Sequence, residues 1–312
     1  MGRLPGVGGR RAAVAAALTV LAACGGAGEP DAETAVRPAP ARQALAVEVR
    51  NEPFVDRSRS TDASGSAPAS PTRSLPTRIF TPAEGEHGRP YPLVVFAHGS
   101  GGLGTGYDVL LRTWASAGYV VAAPALPGST DEAGRGDWTA DLPNFPADVR
   151  FVVDEVLRAG AGVVDPGRVG VAGHSMGGMI TLAVAGHTCC HDPRMKAAVV
   201  LAGRETPFGS GQFWARIRTP VLLVHGDADT NVTYADGRRA YANAPPPRFL
   251  LTILGGDHGA PYTADPADLQ ARVVTDATLD FFDHYLKGAA DGLVHLQARV
   301  ADPRVAKLEQ EQ

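Results

Sequence analysis

The 312 residues are 44% hydrophobic and 20% charged, which is the composition of a globular chain with enough apolar material for a sizeable core. The 33 acidic and 29 basic residues nearly balance and leave a net charge of −4. A nucleic-acid-binding protein needs a basic face and aromatic rings that stack on bases. Since aromatic residues make up only 6% of this balanced chain, we exclude a nucleic-acid partner.

The N-terminus has the pattern of an export signal that ends at a lipid-attachment site. Three arginines precede an apolar run over residues 12–23, which is shorter than the roughly 20 residues of a membrane-spanning helix but suits a signal peptide. The run ends in LAACG, which resembles the bacterial lipobox, where the cysteine, here Cys24, accepts a diacylglyceryl group. We expect a signal peptide over 1–23 and an exported protein that Cys24 anchors to the membrane of the cell envelope. The alternative is an ordinary secretory signal followed by a chance cysteine.

The rest of the chain divides by composition into a linker, one domain and a tail. Residues 24–43 are rich in alanine, proline, glycine and glutamate and show no apolar period, which predicts a flexible linker. One folded domain is expected over 44–290 and a C-terminal tail over 291–312. The polar stretch Ser58–Ser74 lies between two segments of strand character, and we interpret it as a long hairpin loop inside the domain.

Within the domain, apolar runs of strand length alternate with segments of helical spacing. Strands are predicted at Val47–Val55, Leu75–Thr81, Leu93–Ala97, Tyr119–Ala125, Val169–Ala172, Ala197–Leu201, Val221–Val224 and Phe249–Leu254. Helices are predicted at Tyr107–Ala117, Ala147–Ala159, Met176–Ala185 and Leu279–Leu286. This alternation predicts an α/β fold with a mostly parallel central sheet, flanked by helices on both faces. Active sites in such sheets lie beyond the carboxyl ends of the strands.

A Gly-x-Ser-x-Gly motif, from Gly173 to Gly177, stands where a predicted strand meets a predicted helix. So sharp a turn strains its central residue and leaves no room for neighbouring side chains, which explains a glycine at each end. The motif predicts Ser175 as a nucleophile, raised above the sheet at the positive end of the helix dipole. The alternative is a plain turn between a strand and a helix.

A serine nucleophile needs a base and a carboxylate that orients the base. After a nucleophile in this motif, the acid precedes the histidine along the chain. Asp229 follows a predicted strand at the Gly-x-x-Asp spacing typical of the acid. We expect the competing carboxylates, Asp227 and Asp257, to cap loops.

His258 is the expected base, because it alone of nine histidines follows the last predicted core strand within a glycine-flanked loop. His174 is expected to pack beneath the elbow, and His225 to make a structural hydrogen bond. His98 has no second histidine or carboxylate at ligand spacing beside it. We therefore expect neither a metal nor a cofactor.

The oxyanion of an acyl-transfer intermediate needs two preorganised N–H donors. One is expected from Met176, the residue after the nucleophile. The other is expected from the main chain at Ser100, inside the glycine-rich sequence HGSGG that follows a predicted strand. The side chain of Ser100 is expected to be incidental.

Two further cysteines, Cys189 and Cys190, are adjacent in the sequence. If Cys24 is lipidated, the exported domain keeps an even number of cysteines, which permits a disulfide between these two. Two reduced, buried thiols that act as small apolar residues are the alternative. The sequence leaves both open.

These motifs together resemble the α/β-hydrolase fold. The resemblance is carried by HGSGG after the first long strand, GHSMGG around Ser175, the Gly-x-x-Asp that ends at Asp229, and GDH at His258. RSLPT before the second strand, WASAGYVV and CCHDPR are similar to exported bacterial esterases of the dienelactone-hydrolase, chlorophyllase, platelet-activating-factor acetylhydrolase and cutinase-type polyester hydrolase group. Dienelactone hydrolases proper use a cysteine nucleophile, whereas the residue at that position in this chain is Ser175. Polyester hydrolases of the group usually carry an aromatic residue at Ser100 and a tryptophan at about Gly203, and this chain carries neither.

The resemblance implies a carboxylic ester hydrolase that works through an acyl-enzyme on a small-molecule or polymeric ester. We expect a monomer. The segment 202–220 is too short for the helical lid of many lipases, which favours short-to-medium acyl chains. Phe208, Phe213 and Trp214 either line one wall of the site or belong to the core. Alternative functions are a polyester hydrolase or lipase, a serine amidase or acyltransferase, and a non-catalytic envelope lipoprotein with the same fold.

Overall fold

The computed structural model describes residues 2, 42, 44–63, 68–83, 90–102, 104–130, 138–265, 267–300 and 302–312. Cys24, the predicted signal peptide and the linker, except for Gly2 and Arg42, lie outside these residues. Internal contacts divide the chain into the units 1–37 and 38–312. Everything described below belongs to the second unit.

The described residues form nine strands that alternate with helices along the chain. The strands are β1 (Val47–Asp56), β2 (Arg73–Pro82), β3 (Tyr91–Ala97), β4 (Val120–Pro124), β5 (Val164–His174), β6 (Met195–Leu201), β7 (Val221–Gly226), β8 (Arg248–Ile253) and β9 (Ala306–Glu311). The α-helices are α1 (Asp108–Ser116), α2 (Trp138–Asp141), α3 (Phe145–Ala159), α4 (Met176–Gly186), α5 (Tyr234–Asn243), α6 (Ala260–Thr263), α7 (Leu269–Lys287) and α8 (Gly292–Arg299).

The strands form one sheet in the order β1-β2-β4-β3-β5-β6-β7-β8-β9. Strands β3 to β8 run parallel to their neighbours within that set, while β1, β2 and β9 pair antiparallel at the edges. The prediction of a mostly parallel sheet is confirmed. The chain leaves β3 for β4 on one side, whereas β5 lies on the other side of β3. This reversal of strand order opens a crevice beyond the carboxyl ends of β3 and β5.

Helices cover both faces of the sheet and bury two separate cores. In β3, Leu93, Val95 and Ala97 point into the core beneath α3, α4 and α5, and Val94 and Phe96 point into the core beneath α1 and α7. Side chains alternate between the faces of a strand. The run that looks uniformly apolar in the sequence therefore supplies both cores, which is what the prediction of helices on both faces requires.

The prediction of a tail over 291–312 is wrong. These residues form α8 and β9, and β9 extends the sheet by pairing antiparallel with β8. In β9 the buried Ala306 and half-buried Leu308 alternate with exposed polar side chains. An edge strand with one solvent face carries so few apolar residues that its sequence, AKLEQE, looks like a polar tail.

Two other differences concern helices near the C-terminus. Helix α7 begins at Leu269, ten residues before the predicted start at Leu279, and its first half buries Val273 and Val274. The sequence also gave no indication of α5, in which only Gly237 and Ala240 are buried. A helix that packs through small residues lacks the apolar stripe on which a sequence-based prediction relies.

The predicted hairpin loop lies between β1 and β2, whose pairing ends at Asp56 opposite Arg73. Residues 64–67 of that loop are outside the described part of the chain. In the residues that the structure describes, no helix combines the length and the apolar character needed to cross a membrane.

Candidate active site

Ser175 occupies a strained turn between β5 and α4. Its backbone angles are φ 56° and ψ −116°, a positive φ that L-residues rarely adopt and that is typical of functional sites. The flanking glycines are required by contact: a Cβ on Gly177 would overlap the carbonyl of Ala97, and a Cβ on Gly173 would lie 2.8 Å from the same oxygen. The sharp turn predicted from the motif is present, and its main chain packs directly on the end of β3.

The hydroxyl of Ser175 lies within hydrogen-bonding distance of an imidazole. Its Oγ is 2.9 Å from Nε2 of His258, and Nδ1 of that ring is 2.7 Å from Oδ2 of Asp229. A carboxylate only accepts, so Nδ1 of His258 carries the proton and Nε2 presents its lone pair to the serine hydroxyl. Three residues far apart in sequence therefore form one hydrogen-bonded line, with the roles of donor and acceptor fixed from the carboxylate end.

Asp229 is held by more than the histidine. Its other oxygen, Oδ1, accepts the main-chain N–H groups of Asn231 (2.9 Å) and Val232 (3.0 Å). Nε2 of His225 lies 3.4 Å from Oδ2 and 2.9 Å from the carbonyl oxygen of Val232, to which it donates. Because the Asp229 side chain is buried, these bonds replace the water that the carboxylate loses and fix its orientation.

The competing carboxylates make local contacts, as expected. Asp227 accepts the N–H of Gly255, and Asp257 accepts the N–H groups of Gly259 and Ala260. These two backbone bonds, the largest influences on it, hold the pKa of Asp257 below its usual value. The Asp257 bonds stabilise the turn that carries His258.

The HGSGG loop has an orientation that bears on the predicted oxyanion donor. The carbonyl oxygen of Gly99 accepts from Nδ1 of His98 (2.8 Å) and from the N–H of Gly102 (3.1 Å). In a trans peptide unit the N–H points away from the C=O, so anchoring this carbonyl also fixes the direction of the Ser100 N–H. A Cβ on Gly99 would lie 3.4 Å from Cβ of Ser175, which puts this peptide beside the predicted nucleophile.

Met176, the other predicted donor, is the first residue of α4. The first four N–H groups of an α-helix have no partner within the helix and carry the positive end of its dipole. The N–H of Met176 is one of these, and Met176 follows Ser175 directly. The arrangement can therefore bind a negative charge that develops beside Ser175.

His174 lies beneath the turn, buried against the rings of His258 and Tyr262. Burial, reinforced by the neighbouring His258, lowers the pKa of His174 to about 4. Burial is also the main cause of the lowered pKa of His98 and of His225. Burial therefore favours the neutral form of all three imidazoles.

Cys189 and Cys190 are joined in a disulfide at the C-terminal end of α4, so the structure has the first of the two alternatives. Nδ1 of His187 lies 3.0 Å from Sγ of Cys189. In the described part of the chain, these three residues are the only group of metal-ligand type that converges. Cysteine binds a metal as a thiolate, and neither sulfur is a thiolate while both are held in the disulfide bond.

Two of the aromatic residues considered as a wall of the site belong to the core. Phe208 and Trp214 are buried at the far end of α4, where the N–H of Trp214 donates to the carbonyl of Gly186. Helix α4 has 11 residues, so this end lies about 16 Å from Ser175. Phe213 is partly buried and packs against the same core. The segment 202–220 is described throughout and forms no helix, as its length suggested.

Comparisons with known proteins agree with this architecture. The chlorophyllase family model matches residues 52–202, and the PET hydrolase-like family model matches residues 150–275. Together these matches span the predicted oxyanion loop, the turn at Ser175, Asp229 and His258. These family matches and the mostly parallel sheet show that the chain has the α/β-hydrolase fold.

Individual relatives are similar over shorter segments. Cutinase 2 of Thermobifida cellulosilytica is 31% identical over 114 residues, which are 36% of this chain and 40% of that protein. Bis(hydroxyethyl) terephthalate hydrolase of Streptomyces coelicolor is 34% identical over 107 residues, 33% of this chain and 32% of the relative. Cutinase est2 of Thermobifida alba is 29% identical over 150 residues, 47% of this chain and 46% of the relative. The chain thus matches less than half the length of each of these relatives.

Some residues of the α/β-hydrolase site went unnoticed in the sequence. Tyr107, whose hydroxyl lies 3.2 Å from the N–H of Gly99 and 2.8 Å from Nδ1 of His174, had no motif to mark it. His225 makes the structural hydrogen bond expected of it, to the carbonyl oxygen of Val232, but its proximity to Asp229 had no sequence signal, because it depends on how β7 turns into the next loop. The sequence did carry a signal for one contact. The HGSGG motif begins with His98, whose Nδ1 donates to the carbonyl oxygen of the next residue, Gly99.

The packing of the turn predicts the effect of a single methyl group at Gly177. We expect Gly177→Ala to lower the free energy of unfolding by about 2 kcal/mol or more, because its Cβ would overlap the Ala97 carbonyl and the main chain must move. Gly106→Ala is the matched control, since a Cβ there meets nothing within 4 Å. Urea unfolding of both variants measures the difference, and equal stability would contradict the described packing.

Proposed function

We propose that this α/β-hydrolase is a carboxylic ester hydrolase that uses Ser175, His258 and Asp229 in a two-step acyl transfer. The observation that carries the proposal is the hydrogen-bonded line from the Ser175 hydroxyl through His258 to Asp229. Its order of groups is that of serine hydrolases on unrelated folds. The relatives named as cutinases and as a terephthalate ester hydrolase support ester bonds as the target.

In the first step Ser175 Oγ attacks the ester carbonyl while Nε2 of His258 takes the hydroxyl proton. Asp229 keeps the other ring proton on Nδ1 and stabilises the imidazolium that forms. The carbonyl oxygen, now negative, accepts from the N–H groups of Met176 and Ser100. The tetrahedral intermediate then collapses, and His258 returns its proton to the departing alcohol.

In the second step water takes the place of the alcohol. His258, neutral again, removes a proton from this water as it attacks the acyl carbonyl, and the same two N–H groups receive the oxyanion. Ser175 leaves with the proton from His258, and the carboxylic acid is released. In each step one group must first accept a proton and then donate it, and the partly exposed His258 can do both.

The substrate class follows from the surroundings of Ser175. Segment 202–220 contains no helix and so provides no helical lid, which favours short-to-medium acyl esters. The chain departs from the aromatic clamp of polyester hydrolases: Ser100 is exposed, and at Gly203 a Cβ would lie 2.6 Å from the Val200 side chain. A polymeric ester is the second candidate, because a PET hydrolase-like model and cutinases match the chain.

We also propose that the enzyme is exported and anchored through Cys24. The basis is the signal-like sequence that ends in LAACG. A disulfide at Cys189 and Cys190 agrees with an oxidising compartment outside the cytoplasm. An anchor would hold the domain at the cell envelope by the linker over 24–43.

Replacement of the nucleophile tests the mechanism. We expect Ser175→Ala to reduce kcat by about 10⁶-fold, to abolish labelling by a fluorophosphonate probe and to leave thermal unfolding nearly unchanged. Ser210→Ala, which removes an exposed hydroxyl from segment 202–220, is the control and should keep full turnover. A labelled or active Ser175→Ala protein would contradict the mechanism, and a wild-type protein without ester turnover or labelling would favour the non-catalytic alternative.

The proposed open site predicts a dependence on acyl length. With p-nitrophenyl esters from acetate to palmitate, we expect kcat/KM to be highest for short-to-medium chains, since segment 202–220 provides no helical lid that would cover a long one. Matched amide and alcohol-acceptor substrates should give little product. Fastest turnover of the palmitate ester, or a preference for amides, would refute this substrate class.

Anchoring at Cys24 has a direct test in a bacterial host that processes lipoproteins. The wild-type full chain should partition into the detergent phase after Triton X-114 separation, because a diacylglyceryl group adds apolar surface. Cys24→Ser should partition into the aqueous phase with equal esterase activity. Wild-type protein that stays in the aqueous phase would leave the ordinary secretory signal as the interpretation.

A further inference from the structure

A chain of hydrogen bonds beside the site takes no part in the proposed mechanism. It begins at the oxyanion loop, passes through Tyr107 and His174, and ends at the main chain of His258. Nε2 of His174 lies 2.6 Å from the carbonyl oxygen of His258, and Nδ1 lies 2.8 Å from Oη of Tyr107. Oη of Tyr107 in turn lies 3.2 Å from the N–H of Gly99.

The chemistry of the groups fixes the direction of every bond in this chain. A carbonyl oxygen only accepts, so Nε2 of His174 carries the ring proton and donates to His258. In a neutral imidazole the other nitrogen is an acceptor, so the Tyr107 hydroxyl donates to Nδ1. The oxygen of Tyr107 then accepts from Gly99. All the donors and acceptors match only if His174 is neutral and protonated at Nε2.

The two ends of this hydrogen-bond chain lie in two parts of the site whose relative position matters for the proposed mechanism. Gly99 precedes Ser100, whose N–H is the proposed oxyanion donor, and its backbone lies beside Ser175. His258 is the proposed base, and the carbonyl bound by His174 is part of its own main chain. These groups come from loops after β3 and β8, which β5, β6 and β7 separate in the sheet. His174 lies at the end of β5, between them.

We propose that His174 is a positioning residue, which with Tyr107 couples the oxyanion loop to the loop that carries His258. The proposal rests on the ester hydrolase function given above. His174 touches no substrate; it acts by holding the Gly99 N–H and the His258 carbonyl at a set separation. Since a displacement of about 1 Å in a catalytic group can cost a hundredfold in rate, the coupling acts on turnover more than on substrate binding.

Burial makes this hydrogen-bond chain rigid. Tyr107 and His174 are both nearly inaccessible, at 6% exposure each, so water cannot take over the hydrogen bonds. The ring of Tyr107 packs against Phe96, and that of His174 packs against Tyr262. The Tyr262 hydroxyl donates to the carbonyl of Val224 and is no part of the chain.

The test uses variants that remove hydrogen bonds and keep the rings. Tyr107→Phe deletes one oxygen and both of its bonds, and we expect kcat to fall about tenfold with KM within about twofold. His174→Phe removes the bond from Tyr107 and also the bond to the His258 carbonyl, and kcat should fall roughly 30-fold. The double variant should be no slower than His174→Phe, because both changes break the same chain.

Two further variants separate positioning from simple packing. The amide of His174→Gln offers one donor and one acceptor about as far apart as the ring nitrogens, so this variant should recover most of the turnover lost in His174→Phe. Tyr262→Phe, which removes a neighbouring hydroxyl outside the chain, should keep wild-type kcat. Rates are expressed per serine labelled at the end point by a fluorophosphonate, so that unfolded protein does not count.

The outcomes distinguish this proposal from the one on which it rests. If the wild type neither labels nor turns over esters, the ester hydrolase function fails. If the wild type is active and Tyr107→Phe and His174→Phe keep its kcat, only the positioning role fails. Additive losses in the double variant, or a loss confined to KM, would also overturn the coupling. Should His174→Phe not fold, Tyr107→Phe against Tyr262→Phe decides the matter with one oxygen removed in each.

Discussion

The contact between the turn at Ser175 and the end of β3 is the constraint on which the site depends. At Gly177 the main chain packs so closely on the carbonyl of Ala97 that there is no room for a Cβ. This contact supports a positive φ at Ser175, and the Gly99 backbone, two residues beyond Ala97, comes to lie beside Cβ of Ser175. The predicted nucleophile and the predicted oxyanion loop are therefore neighbours because of a backbone contact in which no reactive side chain takes part.

Around this contact the protein arranges four histidines and gives them different environments. His98, His174 and His225 each donate one ring N–H to a main-chain carbonyl, and each is buried with a lowered pKa. Their protonation and tautomer are set by the fold. His258 differs, because both of its nitrogens face side chains and its ring is 18% exposed. Only this ring combines a carboxylate partner, a hydroxyl partner and access to solvent, which are the requirements of a general base.

Where the sequence predicted well, it did so through short-range patterns. Buried parallel strands such as β3 and β7 contain continuous apolar runs that lead into a histidine, and the turn at Ser175 needs glycines at fixed spacing. Where it failed, the signal was weak for a physical reason. Strand β9 has one solvent face and few apolar residues, and α5 packs through Gly237, close to the ring of His225. Aromatic residues such as Phe208 and Trp214 occur both in cores and in the walls of binding sites. Only their burial in the structure shows that they belong to the core.

The sequence by itself determined the fold class, the strained turn and the identity of the residues proposed as nucleophile, acid and base, because strand length, glycine spacing and chain order depend on local geometry. The tertiary structure decided what lies across from each of these residues. That Tyr107 joins Gly99 to His174, that His174 holds the carbonyl of His258, and that Asp229 lies between two imidazoles all depend on strand order and on the rotation of side chains at the sheet edge. Hydrogen bonds act over about 3 Å, whereas the residues they join here are up to 84 positions apart in the chain, and no local pattern encodes that approach.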